Sequence, residues 1–366
     1  MSKIRIGLVG CGGMGRAHLN AIKEIEDATL VGVCDINKEQ AERTAKDFGC
    51  QAFTDYKTFV TKDNLDAVLI ATPHYYHPPI AIWAFEHDIH VLCEKPIAVH
   101  INDALSMIDA HKKHSALKFG IVFQRRLAPI WKQIKKMIDT GQTGQIMRIS
   151  WIVTSWYRTQ SYYNQGGWRG TWKGEGGGVL MNQCPHQLDV FQWLFGMPEQ
   201  VSAICEFGKY HEVEIEDDIT AIMKYSDGTT ATFIATTGEF PGTNRLEIAC
   251  DKGRIVVEDE RTITFDRTVE SISEFTKTAQ SWQLPEVWNA TVPVRGEDPG
   301  YKGMSKNFIK AIKGEEPIAA PGEEGINSLM LANAIVYAGY KNVPVNLPLD
   351  GNEYESFLKQ MIKENE

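Results

Sequence analysis

Near its N-terminus the chain has a glycine pattern that few folds accommodate. Residues 10–15 match G-x-G-x-x-G, between a β-rich run at Ile4–Val9 and a helical segment at 16–25. Glycines so placed permit a tight turn and the close approach of a pyrophosphate to a helix N-terminus. The next predicted strand, Thr29–Cys34, ends in Asp35, at the distance along the chain expected of a ribose-binding acid. The predicted dinucleotide site contains Gly10, Gly12, Gly13, Met14, Gly15 and Asp35.

The acid at position 35 also predicts which dinucleotide is bound. An aspartate accepts hydrogen bonds from the ribose hydroxyls and repels a 2′-phosphate, so the predicted cofactor is NAD. Lys38 lies three residues later and could accommodate a phosphate, which keeps NADP as the alternative.

The first third of the chain continues to alternate between apolar strands and helices. The later strands are predicted at 67–71, 89–93 and 119–123, with helices at 37–48, 79–86 and 102–114. Such alternation predicts a parallel, doubly wound sheet.

Polar residues follow two of these strands, where ligands bind in open α/β sheets. Thr72 and Pro73 come after the first, and Glu94, Lys95 and a proline come after the second. An isolated Glu-Lys-Pro could equally place a lysine on the surface, but this one lies between two differently patterned halves. The predicted cofactor site therefore also includes Thr72, Pro73, His77, Glu94 and Lys95.

After about residue 124 the pattern changes to adjacent strands. Asp227-Gly228 is a strong hairpin signal between two of them, which predicts an antiparallel sheet. We predict two domains, 1–123 and 124–366, with helices at 303–312 and 325–340 and a polar loop over 271–298. One helix is predicted from Val179 to about Phe195.

That helix carries three polar residues on one face. Asn182, His186 and Asp189 are spaced i, i+4 and i+7, and polar groups in an apolar helix need partners or a ligand-filled cavity. A structural His–Asp pair is the alternative. No metal site is predicted, because Cys184 and His186 face different sides of the helix and no further ligand is suitably spaced.

Three motifs together resemble the glucose–fructose oxidoreductase / inositol dehydrogenase / MocA family over nearly the whole chain. They are Glu94-Lys95-Pro96, Gln124-Arg125-Arg126, and Gly176-Gly177-Gly178 before the helix with His186. The resemblance implies an α/β N-terminal Rossmann domain and an α+β C-terminal domain with a large, open, mostly antiparallel sheet. It also implies that the helices within 303–340 pack back toward the first domain, and that the open sheet forms a homodimer or homotetramer.

The resemblance also implies roles for individual residues. Lys95 and His186 match the catalytic lysine and histidine of the family, and both would contact substrate. Relatives often have an aspartate four residues before the histidine, where this chain has Asn182, a further candidate for catalysis and substrate binding. Asp189 matches an acid that lines the substrate pocket. Arg125 and Arg126 match arginines of the cofactor and crossover region; the resemblance leaves open which of them points inward, and Arg126 is the candidate for substrate binding.

An aromatic, arginine-containing loop at 156–174 predicts the kind of substrate. Tyr157, Trp168 and Arg169 are its candidate contacts, because aromatic faces with nearby guanidinium groups suit the C–H faces and hydroxyl edges of a sugar or polyol. A packing or subunit-interface loop is the alternative.

The predicted activity is NAD(P)-dependent interconversion of a secondary alcohol and a ketone, with Lys95 and His186 as acid–base groups. A base must remove the hydroxyl proton as hydride leaves the same carbon, and the sequence leaves open which of the two is that base. The alternatives are a redox-assisted lyase or glycosidase, a cyclic-diol dehydrogenase, and a catalytically silent cofactor-sensing protein.

Composition excludes several other classes of protein. The net charge of −9 argues against a nucleic-acid partner, which would need a basic surface. The seven cysteines include no Cys-x-x-Cys pair, and no apolar run approaches a membrane span or a signal segment. We therefore expect a cytoplasmic enzyme with a small-molecule substrate and no membrane partner.

Overall fold

The computed structural model describes residues 3–366, and its first part alternates strands with helices. The elements are β1 (Ile4–Val9), α1 (Gly13–Lys23), β2 (Ala28–Cys34), α2 (Lys38–Phe48), β3 (Gln51–Phe53), α3 (Tyr56–Phe59), β4 (Ala67–Ile70), α4 (His77–Glu86), β5 (His90–Cys93), α5 (Ile101–Lys113) and β6 (Phe119–Ile121). A 3₁₀ turn at His74–Tyr76 leads into α4.

The strands of this part form one parallel sheet, as predicted. Their order is β3-β2-β1-β4-β5-β6. All four residues of β4 are buried, since a strand inside such a sheet is covered on both faces. The strand order reverses between β1 and β4, and ligands bind outside the carboxyl ends of strands at such a point. The ends of β1, β4 and β5 therefore locate the candidate site.

The second part begins with a 3₁₀ turn at Gln124–Leu127. Its helices and strands are α6 (Pro129–Asp139), β7 (Ile146–Val153), α7 (Gln160–Tyr163), α8 (Val179–Asn182), α9 (Pro185–Phe195), β8 (Gln200–Phe207), β9 (Glu216–Lys224), β10 (Thr230–Thr236), β11 (Asn244–Cys250), β12 (Gly253–Glu258), β13 (Thr262–Thr268), α10 (Ile272–Thr278), β14 (Val287–Val292), α11 (Gly300–Ile312), α12 (Gly325–Lys341), β15 (Val345–Asn346) and α13 (Gly351–Glu364).

The nine strands of this part form a second sheet, ordered β14-β13-β12-β11-β7-β10-β9-β8-β15. Only β7 and β10 pair in parallel, which confirms the predicted mostly antiparallel sheet. Helices α6 and α9 cover one face through aromatic side chains; Trp131 of α6 lies 5.2 Å from Trp151 of β7 between ring centroids. The other face leaves Ile204 66% exposed and Ile222 57% exposed.

The helices at the end of the chain contact the first part of the molecule. Lys302 of α11 pairs with Glu24 at 2.5 Å, and Lys313 at its end pairs with Asp27 at 2.7 Å. Asn333 of α12 donates a hydrogen bond to the carbonyl oxygen of Val99 at 3.3 Å. These contacts tie α11 and α12 to the Rossmann half of the chain.

Two predictions about single elements are wrong. The segment 271–298 contains α10 and β14 rather than loop alone; nearly all the side chains of β14 are exposed, so it lacks the alternation by which a strand is predicted. The helix predicted from Val179 is two helices, α8 and α9. Proline has no N–H to continue a helix and is favoured in its first turn, so Pro185 begins a new one.

No helix within residues 3–366 is both long enough and apolar enough to cross a membrane.

Candidate active site

The glycine turn between β1 and α1 has the shape of a phosphate cradle. Gly10 has φ +100°, and a Cβ there would lie 2.4 Å from the carbonyl oxygen of Ala71. A Cβ at Gly15 would lie 2.0 Å from the carbonyl oxygen of Gly10, so both positions require glycine. At Gly12 and Gly13 a Cβ would meet nothing within 4 Å. The turn is thus closed toward the protein and open outward, at the N-terminus of α1 where Met14 is also partly exposed.

The carboxylate of Asp35 lies beside this turn. It accepts hydrogen bonds from the backbone N–H of Cys11 at 2.8 Å and of Asn37 at 2.9 Å. Both bonds fix the carboxylate at the carboxyl end of β2, where the adenosine ribose of a dinucleotide on this cradle would lie. The predicted glycines and Asp35 therefore fit a dinucleotide.

A buried polar cluster holds the ends of β4 and β5 together. The ring nitrogens of His77 lie 2.8 Å from the carbonyl oxygen of Pro96 and 2.9 Å from that of Thr72. Glu94 contacts Nε2 of His18 at 2.6 Å and accepts from the backbone N–H of Lys95 at 3.1 Å. Burial acts to raise the pKa of Glu94, but the bond to His18 and nearby positive charges outweigh it and lower that pKa. Pro73 lies between Thr72 and His77 in the sequence, directly before the 3₁₀ turn.

Lys95 joins the two halves of the molecule. Its Nζ donates to the backbone carbonyl oxygen of Asn182 at 2.7 Å, across 87 residues of sequence. Burial lowers the pKa of Lys95, and the carboxylates of Glu94 and Glu175 partly oppose that effect. The amine is therefore held between domains in a setting that favours loss of its proton more than water does.

His186 lies at the start of α9 and is almost fully buried. Its Nδ1 has no hydrogen-bond partner within residues 3–366. Burial, followed by the charges of Lys95 and Arg125, lowers the pKa of His186 well below its usual value. The imidazole is therefore held in its neutral form, the form in which a ring nitrogen can accept a proton.

Asn182 contacts a carboxylate, that of Glu175, which was not among the site residues predicted from the sequence. Its Nδ2 donates to Glu175, and it lies 3.2 Å from the hydroxyl of Tyr162. Glu175 is 1% exposed, accepts from the backbone N–H of Gly170 at 2.8 Å, and lies 3.8 Å from Arg169. Burial raises the pKa of Glu175. An acid directly before three glycines was the only sequence signal for it.

Arg126 and Asp189, both predicted to contact substrate, form a buried ion pair with each other. The guanidinium donates to the two oxygens of Asp189 at 2.9 Å and 2.6 Å, and it also pairs with Glu324. Their bidentate pair fastens the turn at 124–127 to α9, which carries His186.

The three residues predicted in the aromatic loop separate into two groups. Arg169 lies 4.4 Å from the ring centroid of Trp168, whose ring in turn lies 5.9 Å from that of His74 near the end of β4. Tyr157 is exposed and contacts Phe240, which is also exposed. Trp168 and Arg169 therefore lie near Lys95 through Glu175 and His74, whereas Tyr157 shows no contact with that cluster among residues 3–366.

Within the same residues, no group of three or more His, Cys, Asp or Glu side chains is arranged to hold a metal ion.

Comparison with known proteins assigns the chain to a family. Residues 4–120 match the model of an oxidoreductase family with an NAD-binding Rossmann fold, and residues 131–256 match the GFO/IDH/MocA C-terminal domain. The chain is 25% identical over 354 residues to myo-inositol 2-dehydrogenase of Thermotoga maritima, covering 90% of this chain and 95% of that one.

Two further proteins extend the comparison. The chain is 30% identical over 240 residues to 2,7-anhydro-N-acetylneuraminate hydratase of Mediterraneibacter gnavus, covering 63% of this chain and 61% of that one. Its fold is similar to the crystal structure of the WlbA dehydrogenase of Bordetella pertussis in complex with NADH and UDP-GlcNAcA. The TM-score is 0.80 at 29% identity, over 95% of this chain and 100% of that one.

The predicted family and the predicted NAD-binding domain are thereby confirmed. With its glycine cradle, its Glu-Lys-Pro strand end and both matching domains, the chain belongs to the Gfo/Idh/MocA family of NAD-binding oxidoreductases, which includes sugar and polyol dehydrogenases.

Proposed function

We propose that this enzyme interconverts a secondary alcohol and a ketone on a sugar or polyol. The observation that carries the proposal is the bond from Lys95 Nζ to the carbonyl of Asn182, a residue that lies four positions before His186 in the chain. NAD, when bound to the glycine cradle, would accept hydride from the carbon that bears the hydroxyl.

The protein's own groups divide the proton chemistry between them. An ammonium has three donors, and Lys95 uses one of them on the carbonyl of Asn182. The remaining donors can bind the substrate oxygen and stabilise the charge that develops on it. The neutral imidazole of His186 then takes the hydroxyl proton in the oxidative direction and returns it in the reductive direction.

Steady-state NADH production on a panel of sugars and polyols tests this proposal. We expect NADH to accumulate with at least one neutral or charged sugar, and to be consumed with the matching ketone. The hydratase among the relatives supports a second candidate, transient oxidation by a cofactor that stays bound. Substrate conversion without net NADH would favour that second candidate, and sugar binding without conversion would contradict both.

Asp35 should set the preference for NAD. Its carboxylate is fixed by two backbone N–H groups and would repel a 2′-phosphate, so we expect Asp35→Ser to narrow the preference for NADH over NADPH by on the order of tenfold. Fluorescence titration with both reduced cofactors measures it, and Asp109→Ser on the surface of α5 is the control. Tighter NADPH than NADH binding by the unaltered protein would contradict the role given to Asp35.

Glu175 should influence the pH dependence of the reaction. Its negative charge raises the pKa of Lys95 against the stronger effect of burial. In Glu175→Gln that opposition is lost, so the limb of the pH profile of kcat/KM that reports Lys95 should move to lower pH. Glu212→Gln, on an exposed loop, is the matched control. An unchanged profile in Glu175→Gln would mean that the charge at 175 does not reach the reacting groups.

A further inference from the structure

Arg158 is a partly buried cation that lacks a counter-charge. Its guanidinium carbon lies 5.3 Å from the ring centroid of Trp156 and 5.1 Å from that of Tyr162. Its one side-chain hydrogen bond goes to the carbonyl oxygen of Tyr157 at 2.9 Å, and its Nε is buried without a partner. No Asp or Glu among residues 3–366 pairs with it. A guanidinium with unused donors between aromatic rings is suited to bind an oxyanion.

The backbone of this residue is fixed rather than loose. Its N–H donates to the carbonyl oxygen of Thr237 at 2.9 Å, and its own carbonyl oxygen lies 2.9 Å from Nε2 of His211. The main chain that carries the guanidinium is therefore held in place before any ligand arrives, which reduces the part of the entropic cost of binding that comes from ordering the loop.

Tyr162 connects Arg158 to the proposed reaction centre. Its hydroxyl lies 3.2 Å from Nδ2 of Asn182, whose backbone carbonyl holds Lys95. Burial raises the pKa of the Cys184 thiol, and the charges of Arg125, Lys95 and Arg158 all oppose that rise. All three cations thus act on one buried point, two residues before His186.

The other cations around this point lie near carboxylates, and Glu216 adds a further negative charge that acts on Cys184. Arg125 pairs with Glu260, and Arg169 lies 3.8 Å from Glu175. The charge of Lys95 is opposed by Glu94 and Glu175. Arg158 has no carboxylate partner within residues 3–366, and leaving its buried Nε without a hydrogen-bond partner is costly. A substrate that carries its own negative charge would remove that cost.

We propose that Arg158 binds an oxyanion of the substrate, so that the enzyme acts on an acidic sugar. The group bound is either the carboxylate of a uronate or the phosphate group of a sugar phosphate. The inference rests on the proposed function for the identity of the ligand as a sugar. The rings of Trp156 and Tyr162 flank the guanidinium, so an anion bound there lies beside apolar faces that suit a sugar ring.

The test is equilibrium binding to the NADH-saturated enzyme, measured by isothermal titration. The ligands are glucose, glucuronate and glucose 6-phosphate, together with galactose and galacturonate. We expect at least one acidic sugar to bind ~10–100-fold more tightly than its neutral counterpart, the range of one hydrogen-bonded charge. Preference for the uronates or for the phosphate identifies which anion is recognised.

Variants at position 158 separate charge from packing. Arg158→Met keeps an apolar stem and should abolish the ratio between acidic and neutral sugars. Arg158→Lys should restore part of it, because an ammonium supplies charge without the bidentate geometry of a guanidinium. Arg43→Gln is the control, because it removes one positive charge from α2, which packs on β2 and β3. It should leave the ratio of acidic to neutral sugar affinity unchanged.

Two results would overturn the inference. One is equal binding of acidic and neutral sugars by the unaltered enzyme, and the other is an equal loss of both in Arg158→Met with the fold intact by thermal melting. If acidic sugars bind preferentially but yield no NADH and no other product, the inference about Arg158 is supported while the proposed dehydrogenase activity fails.

Discussion

Replacing Lys95 with alanine should lower kcat by ~10²–10⁴-fold, the range expected when a group that stabilises charge on the substrate oxygen and assists proton transfer is removed. Within residues 3–366, the amine of Lys95 is the side-chain group that donates a hydrogen bond to the carbonyl of Asn182, and alanine cannot replace that donor. NADH binding should persist, because within the described residues 3–366 the glycine turn and Asp35 make no hydrogen bond to Lys95. The expected pair of results is a kcat lowered by this factor and an unchanged affinity for NADH, the latter measured by fluorescence.

His186→Ala should lose a comparable factor. If the imidazole and the amine act on the same hydroxyl, the double variant should be little worse than either single one, because groups that act as a unit are not additive. Lys112→Ala, on the exposed side of α5, is the control. Near-normal turnover in Lys95→Ala, or fully additive losses in the double variant, would contradict the proposed proton transfer.

The second large effect is expected on stability. Arg126→Met leaves the carboxylate of Asp189 in a fully buried position, with Gln192 at 3.1 Å as its remaining partner. Breaking a buried pair from one side costs ~3–5 kcal/mol of unfolding free energy, which chemical denaturation would measure. Replacing both partners, as in Arg126→Met with Asp189→Leu, should recover most of that loss. Arg148→Met breaks an exposed pair with Glu247 and should cost ~0–1 kcal/mol.

The same variant should depend on pH in a defined direction. Burial already raises the pKa of Asp189, and the guanidinium of Arg126 opposes that rise. Without the guanidinium the folded-state pKa rises further above the unfolded one, so folding favours the protonated acid. The deficit of Arg126→Met should therefore be largest at about pH 8 and shrink toward about pH 5. A deficit that does not change with pH would mean that Asp189 stays ionised in the variant.

The sequence predicted those features of the site that neighbouring residues determine, and it did not predict contacts that depend on the path of a long loop. The turn at Gly10–Gly15 and the position of Lys95 after β5 follow from neighbouring residues, because glycine permits backbone conformations that other residues avoid and proline restricts the backbone where it stands. The partner of Asn182 could not be predicted in this way. Glu175 reaches it only through the course of the loop at 156–178, which no periodicity describes.

The pairing of Arg126 with Asp189 is a second contact of this kind. The sequence predicted a substrate contact for each of the two residues, but their separation of 63 residues hides that they meet. By contrast, the break between α8 and α9 had a visible cause in Pro185, and attention to its missing N–H would have divided the predicted helix correctly.

The hydrogen bond from Lys95 to the main chain has a consequence for substitutions at position 182. The oxygen that receives its Nζ belongs to the main chain at position 182, and every amino acid supplies that oxygen. A change of side chain at 182 therefore leaves this acceptor in place, although it would alter the contact that Asn182 makes with the buried carboxylate of Glu175. The main chain at 182 therefore orients the amine of Lys95, whereas the side chain at 182 determines the charge beside that amine.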